Sequence, residues 1–191
     1  MPDTGPVLLV VDVQLDFCEG GSMGVEGGAA TAAAISRYLG EDPGRYSHVV
    51  ASRDYHQDPG DHFSDAPDFA ASWPPHCRAG TAGAAFHPEL DVSAIGAVFS
   101  KGLYEAAYSA FEGTGPGAAG LAGWLRDRGV TELDVVGIAT DHCVRASALD
   151  AVREGFTTTV LLDLTAGVAE ATTAAALDEM REAGVVLAGG G

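Results

Sequence analysis

Glu132–Gly155 reads ELDVVGIATDHCVRASALDAVREG, and its periodicity changes part-way along. "ELDVVGI" is apolar at nearly successive positions, as expected of a strand covered on both faces. From about His142 to Glu154 the pattern turns helical, with Val144, Ala148 and Val152 on one face and Gly155 as the stop. A buried strand running straight into a helix is the repeating element of a parallel α/β sheet. At the seam sits one cysteine, Cys143.

The same alternation extends in both directions. "PVLLVVDV", "SHVVASRD", "AIGAVFSK" and "TTTVLLD" read as further strands, and "VVLA" as a last one. Helical patterns cover about Ala29–Leu39, Ala118–Arg128 and Ala169–Ala183. No internal repeat or linker interrupts them, so the expectation is one domain over residues 1–191. The fold class is α/β: a three-layer α/β/α arrangement around an open, mostly parallel sheet. In such sheets ligands bind beyond the carboxyl ends of the strands.

Composition narrows the function. A net charge of −17 works against nucleic acid or an anionic membrane as partner. The apolar run "VLLVV" is far too short to span a bilayer, and no basic segment precedes it as in a secretory leader. Three widely spaced cysteines, Cys18, Cys77 and Cys143, suit a reducing compartment and not a disulfide framework. A cytoplasmic location is therefore expected. The cations are nine arginines and a single lysine, Lys101. A lysine kept where arginine serves everywhere else suggests a role for a compact ammonium.

The strand ends carry Asp12, Asp54, Lys101 and, just past the fourth strand, Cys143. Each alone reads as a cap, a turn former or a small buried hydrophobe. Together they place complementary ionisable groups where a ligand should bind. Cys143 opens a helix, a setting that lowers a thiol pKa and supplies backbone N–H groups to an oxyanion. The adjacent His142 is a poor base for its neighbour, because consecutive helix-start residues point about 100° apart. Asp12 could take the thiol proton, with Lys101 as the charge that favours both anions.

Between Tyr55 and about Ser93 apolar periodicity is nearly absent, and such long loops are usually functional. Asp54, His56, His62 and His76 form D-x-H-x5-H-x13-H across its start. One carboxylate and three imidazoles make a first shell for Zn²⁺, Mn²⁺ or Fe²⁺. Asp58, Asp61 and Cys77 lie close enough in sequence to be alternative ligands, and solvated loop histidines are the plainer reading. His48 and His87 have no sequence partner and read as structural.

With these residues assembled, the chain resembles the nicotinamidases, also called pyrazinamidases, of the isochorismatase-like cysteine hydrolase superfamily. The motifs that carry the resemblance are "VVDVQLDFCEGGSM", "SRDYHQDPGDHF", "SWPPHC", "FSKG" and "VVGIATDHCVRASALDA". It implies a Rossmann-like hydrolase fold and a catalytic triad of Asp12, Lys101 and Cys143. It implies one divalent metal on Asp54, His56, His62 and His76, with no organic cofactor. Also implied are an oxyanion hole from the amides of Ala139 and Cys143, and a cis Ile138–Ala139 peptide. Phe17, Trp73, Tyr108, Ile138 and His142 match positions lining the substrate pocket.

The expected reaction is hydrolysis of nicotinamide to nicotinate and ammonia, and of pyrazinamide likewise, as a step in NAD salvage. A related amidohydrolase acting on carbamoyl or ureido substrates is the nearest alternative. The expected partner is a small molecule, and monomer and homo-oligomer stay equally open. Leu15 departs from the family's usual asparagine in the first motif.

Overall fold

The protein is described here by a computed structural model covering residues 5–190. Six strands form one sheet: β1 (Val7–Val11), β2 (His48–Asp54), β3 (Ile95–Lys101), β4 (Glu132–Ile138), β5 (Thr157–Ala166) and β6 (Val186–Ala188). Their order is β3-β2-β1-β4-β5-β6, and every pairing is parallel. The helices are α1 (Gly28–Glu41), α2 (Leu121–Arg126), α3 (Arg145–Arg153) and α4 (Glu170–Glu182). The expected strands and helices are all present, with small shifts at their ends. Among the described residues no helix is long and apolar enough to cross a membrane.

The central strand shows why the strands read as continuous apolar runs. All five residues of β1 are buried. Val7, Leu9 and Val11 join the core on one face with Leu125 of α2, Val144, Ala148 of α3 and Met180 of α4. Leu8 and Val10 join the other with Ala32 and Ile35 of α1. Three layers follow from side chains pointing alternately to opposite faces of each strand.

The chain winds outward from β1 in one direction through β2 and β3, and in the other through β4 and β5. At this reversal the crossovers lie on opposite faces, leaving a crevice at the carboxyl ends of β1 and β4. Gly137 lets the two strands approach there. Its φ is +117°, and a Cβ would lie 2.7 Å from the backbone nitrogen of Val11. No other residue fits.

Candidate active site

Strand register brings the ionisable residues together. Asp54 and Lys101 are direct partners across β2 and β3, and the Asp12 N–H donates to the Ser52 carbonyl at 3.2 Å. The Lys101 ammonium contacts Asp12 Oδ2 at 2.8 Å and forms a second ion pair with Asp54 Oδ1. Lys101 Nζ also donates to Cys143 Sγ at 3.8 Å. Ser52 Oγ donates to the second Asp12 oxygen at 2.7 Å. Asp12, Asp54, Lys101 and Cys143 are all buried.

Charges held away from water decide the protonation states. Burial raises the Asp12 carboxyl above its ordinary value; Lys101 opposes this and the Asp54 charge adds to it. Burial works against the charged forms of Asp54 and Lys101 too. For Asp54 the Lys101 ammonium and the adjacent imidazoles of His56 and His76 outweigh it, and its pKa falls well below the carboxylate range. For Lys101 the carboxylates of Asp12 and Asp54 prevail, and it stays charged.

The thiol corrects the expectation of a lowered pKa. Burial pushes Cys143 well above an ordinary cysteine, with Asp12 and Asp54 adding to it against Lys101. Its place at a helix start does not offset desolvation and two carboxylates. The resting group is a thiol, and a base with a raised pKa stands beside it.

Cys143 lies in a π-helical turn, Thr140–Val144, which leads into α3. The His142 and Val144 N–H groups both donate to the Ala139 carbonyl at 3.0 Å. The Ile138–Ala139 peptide is cis, as the resemblance implies. Asp141 anchors the turn, accepting from Val168 N–H at 2.9 Å and from the Thr172 hydroxyl at 2.5 Å. Burial lowers the His142 pKa, so this imidazole is neutral near pH 7. Cys18 and Cys77 are free and buried, as expected of packing residues.

The histidines of the long loop also converge. Ligand atoms of His56, His62 and His76 all lie within 4.8 Å of one another, and all three residues are buried. Asp54 Oδ2 lies 3.4 Å from His56 Nε2 and 3.5 Å from His76 Nε2. The Nδ1 atoms of His56 and His76 are taken by the carbonyls of Gly102 and Pro74, at 2.5 and 2.8 Å, which turns both Nε2 atoms inward. His56 Nε2 and His62 Nδ1 are buried without hydrogen-bond partners. Burial and the neighbouring imidazoles His76 and His56 lower His62 to about 4 and keep it neutral. Orphaned ring nitrogens beside a buried carboxylate fit a divalent cation. Asp54 stands beside this trio of histidines at those distances but is not part of it, and neither are Asp58, Asp61 and Cys77.

The loop that carries them is more ordered than its sequence suggested. Short bridges pair His56 with Arg78 and Phe63 with Trp73. Gly102, with φ +73°, packs so tightly on His56 that a Cβ would lie 2.7 Å from its Nδ1. Of the two outlying histidines, His48 packs edge-on against Trp124 and His87 accepts from the Glu89 N–H.

A cavity of about 270 Å³ opens onto these groups. Phe17, Trp73, Tyr108, Ile138, Ala139, His142 and Cys143 line it together with Asp54, His62 and His76. Trp73 Nε1 donates to the Tyr108 hydroxyl at 3.0 Å, and the Trp73 ring meets His142 edge-on at 5.4 Å. Sequence reasoning missed Met23, Val25, Phe69 and Val168 on the same wall. They sit in glycine-rich or irregular segments where periodicity gives no signal. The cavity is small by the standard of drug-sized ligands and suits a single ring.

The sequence model of the isochorismatase domain matches residues 6–189. The chain belongs to the isochorismatase family. Within that family it is 64% identical to the nicotinamidase/pyrazinamidase of Mycobacterium tuberculosis, over 94% of this chain and 96% of the relative. A solved relative, PnC1 from L. infantum in complex with nicotinate, superposes with a TM-score of 0.84 at 37% identity, covering 97% of this chain and 92% of that one. The pyrazinamidase of Pyrococcus horikoshii, in complex with zinc, gives a TM-score of 0.81 at 34% identity, covering 95% and 97%.

The unusual Leu15 opens a short turn, Leu15–Phe17. Its N–H donates to the Ala85 carbonyl at 2.9 Å, while Gln14 and Asp16 supply the side-chain bonds that hold this isochorismatase-family loop.

Proposed function

We propose that this protein is a nicotinamidase that hydrolyses nicotinamide, and pyrazinamide likewise, through a thioester on Cys143, a step in NAD salvage. The observation that carries this reading is Lys101, whose ammonium touches Asp12, Asp54 and the Cys143 sulfur at once. It joins a nucleophile and its base to a cluster of candidate metal ligands, and Cys143, Asp54, His62 and His76 of this set line one cavity.

Asp12 takes the Cys143 proton as the sulfur attacks the carboxamide carbon. Its raised pKa suits it to that transfer. The backbone N–H groups of Ala139 and Cys143 receive the developing oxyanion. Protonated Asp12 then gives its proton to the leaving nitrogen, and ammonia departs. Asp12 activates a water, the thioester is hydrolysed, and the free thiol returns. Lys101 remains charged throughout and balances Asp12 and Asp54.

Asp54, His56, His62 and His76 would hold one divalent ion, and zinc, manganese and iron all suit this donor set. When bound, it supplies a Lewis-acid anchor for a ring nitrogen. Phe17, Trp73 and Tyr108 clamp the ring, and Ile138 and His142 close the side nearest the sulfur.

The test is ammonia release by the metal-loaded protein from nicotinamide, pyrazinamide, benzamide and an N-carbamoyl amine. Nicotinamide and pyrazinamide turn over, and benzamide, which lacks the ring nitrogen, turns over far more slowly. Turnover of the carbamoyl compound alone would overturn the proposal.

A further inference from the structure

Gln14 takes no part in the chemistry above, yet it is fully buried and holds three segments together. Its Nε2 donates to the Asp54 carbonyl at 2.8 Å and to the Ala84 carbonyl at 2.9 Å. Its Oε1 accepts from the Asp54 N–H at 2.8 Å. The orientation of the amide is not arbitrary. One partner is an N–H and two are carbonyls, so a flipped amide would face a like group at all three contacts. The Gln14 N–H also donates to the Asp12 carbonyl at 2.8 Å.

Asp54 needs this hold more than its neighbours do. It ends β2, where ladder hydrogen bonds run out, and its two oxygens face different partners. Oδ1 meets Lys101, and Oδ2 faces His56 and His76. A rotation that favours the lysine turns Oδ2 away from the imidazoles. By clamping both the N–H and the carbonyl of Asp54, Gln14 fixes the base from which that side chain projects.

We infer that Gln14 is a positioning residue that holds Asp54 divided between the lysine and the metal-ligating histidines, and so sets metal affinity. The inference rests on the metal reading above. Partners that orient metal ligands typically contribute about 10- to 100-fold in affinity when removed.

Zinc affinity, measured by competition with a chromogenic chelator, tests this on the wild type and on Gln14→Glu, Gln14→Met, Asp54→Ala and Ser52→Ala. Gln14→Glu keeps the shape and sets a carboxylate against two carbonyls; Gln14→Met removes all three bonds at similar length. Each metal-free variant is first checked for its fold by circular dichroism, and Gln14→Glu decides if Gln14→Met does not fold. The expected result is zinc binding by the wild type, its loss in Asp54→Ala, and about 10- to 100-fold weaker binding in the Gln14 variants. Ser52→Ala, which removes a buried hydrogen bond to Asp12 but none to Asp54, binds zinc as the wild type does.

Zinc affinity within twofold of the wild type in the folded Gln14 variants overturns the inference and leaves the metal site standing. Equal weakening in Ser52→Ala also overturns it, because any buried polar loss would then suffice. No zinc binding by the wild type, or zinc retained in Asp54→Ala, sinks the metal reading instead.

Discussion

The sheet edge and the long loop after β2 both gather buried ionisable groups, but they position them by different means. At the edge, Asp54 and Lys101 meet because parallel register makes them neighbours, and Asp12 follows directly on the fully buried β1. In the loop, His62 and His76 arrive on chain with no regular ladder. Isolated contacts hold them: Trp73 N–H donates to the His62 carbonyl at 2.8 Å, and Asp16 Oδ2 accepts from the Cys77 N–H at 2.7 Å. Chemistry placed on strands shares the stability of the core. Chemistry placed on a loop depends on a few identifiable bonds, and the two should fail separately when perturbed.

The largest separation should come from the nucleophile. Cys143→Ala is expected to lower kcat by about 10⁴-fold or more, as loss of a covalent nucleophile does, while zinc binding stays unchanged. Substantial turnover by this variant, measured as ammonia release, would show that a metal held by the loop histidines performs the hydrolysis without the thiol.

Next comes the sheet itself. Leu9 is fully buried in β1, and Leu9→Ala should destabilise the fold by about 2–5 kcal/mol in a denaturant titration. At temperatures where the variant stays folded, zinc affinity should hold. If affinity drops in parallel with stability, the loop is not the separate unit drawn here.

The converse change is Asp16→Asn. It weakens the tether at Cys77 by replacing a charged acceptor with a neutral one, a loss of about 1 kcal/mol. KM for nicotinamide and zinc affinity should shift several-fold, whereas the thermal midpoint should move by only a few degrees. A large fall in midpoint with KM unchanged would place Asp16 in the core and not in the site.

The smallest effect concerns pH. Asp12 must be ionised to accept the thiol proton, and its carboxyl is raised above 3.8 by burial. The acid limb of kcat/KM should therefore lie above 3.8, activity falling as pH drops and the base takes up a proton. The same shift favours folding in the protonated form, so the Asp12 contribution to stability is present below 3.8 and lost as pH rises through the folded-state value. An acid limb at or below 3.8 would mean that Asp12 is not the base.

Much of the edge was legible in the sequence because strand periodicity puts Asp12, Lys101 and Cys143 at or just past the carboxyl ends of β1, β3 and β4. Less was legible of their interactions. Nothing in the order of residues says that Lys101 divides its ammonium between the carboxylates of Asp12 and Asp54. That follows from the pairing of β2 with β3. The raised Cys143 pKa was misread because a helix start can be seen in sequence, whereas the burial that chiefly outweighs it, with Asp12 and Asp54 adding to it, cannot. Gln14 and Asp16 look like ordinary polar loop residues until the chain that packs over them is known.

Sequence by itself determined the α/β class and the sites of the strand ends, since both depend on local pattern, and it offered three imidazoles and a carboxylate as candidate metal donors. The tertiary structure alone decided which oxygen of Asp54 faces which partner, that the resting sulfur keeps its proton, and that a buried glutamine clamps the backbone of Asp54, forty residues away. Those outcomes depend on distance and burial between segments far apart in the chain, and neither quantity exists before the sheet has closed.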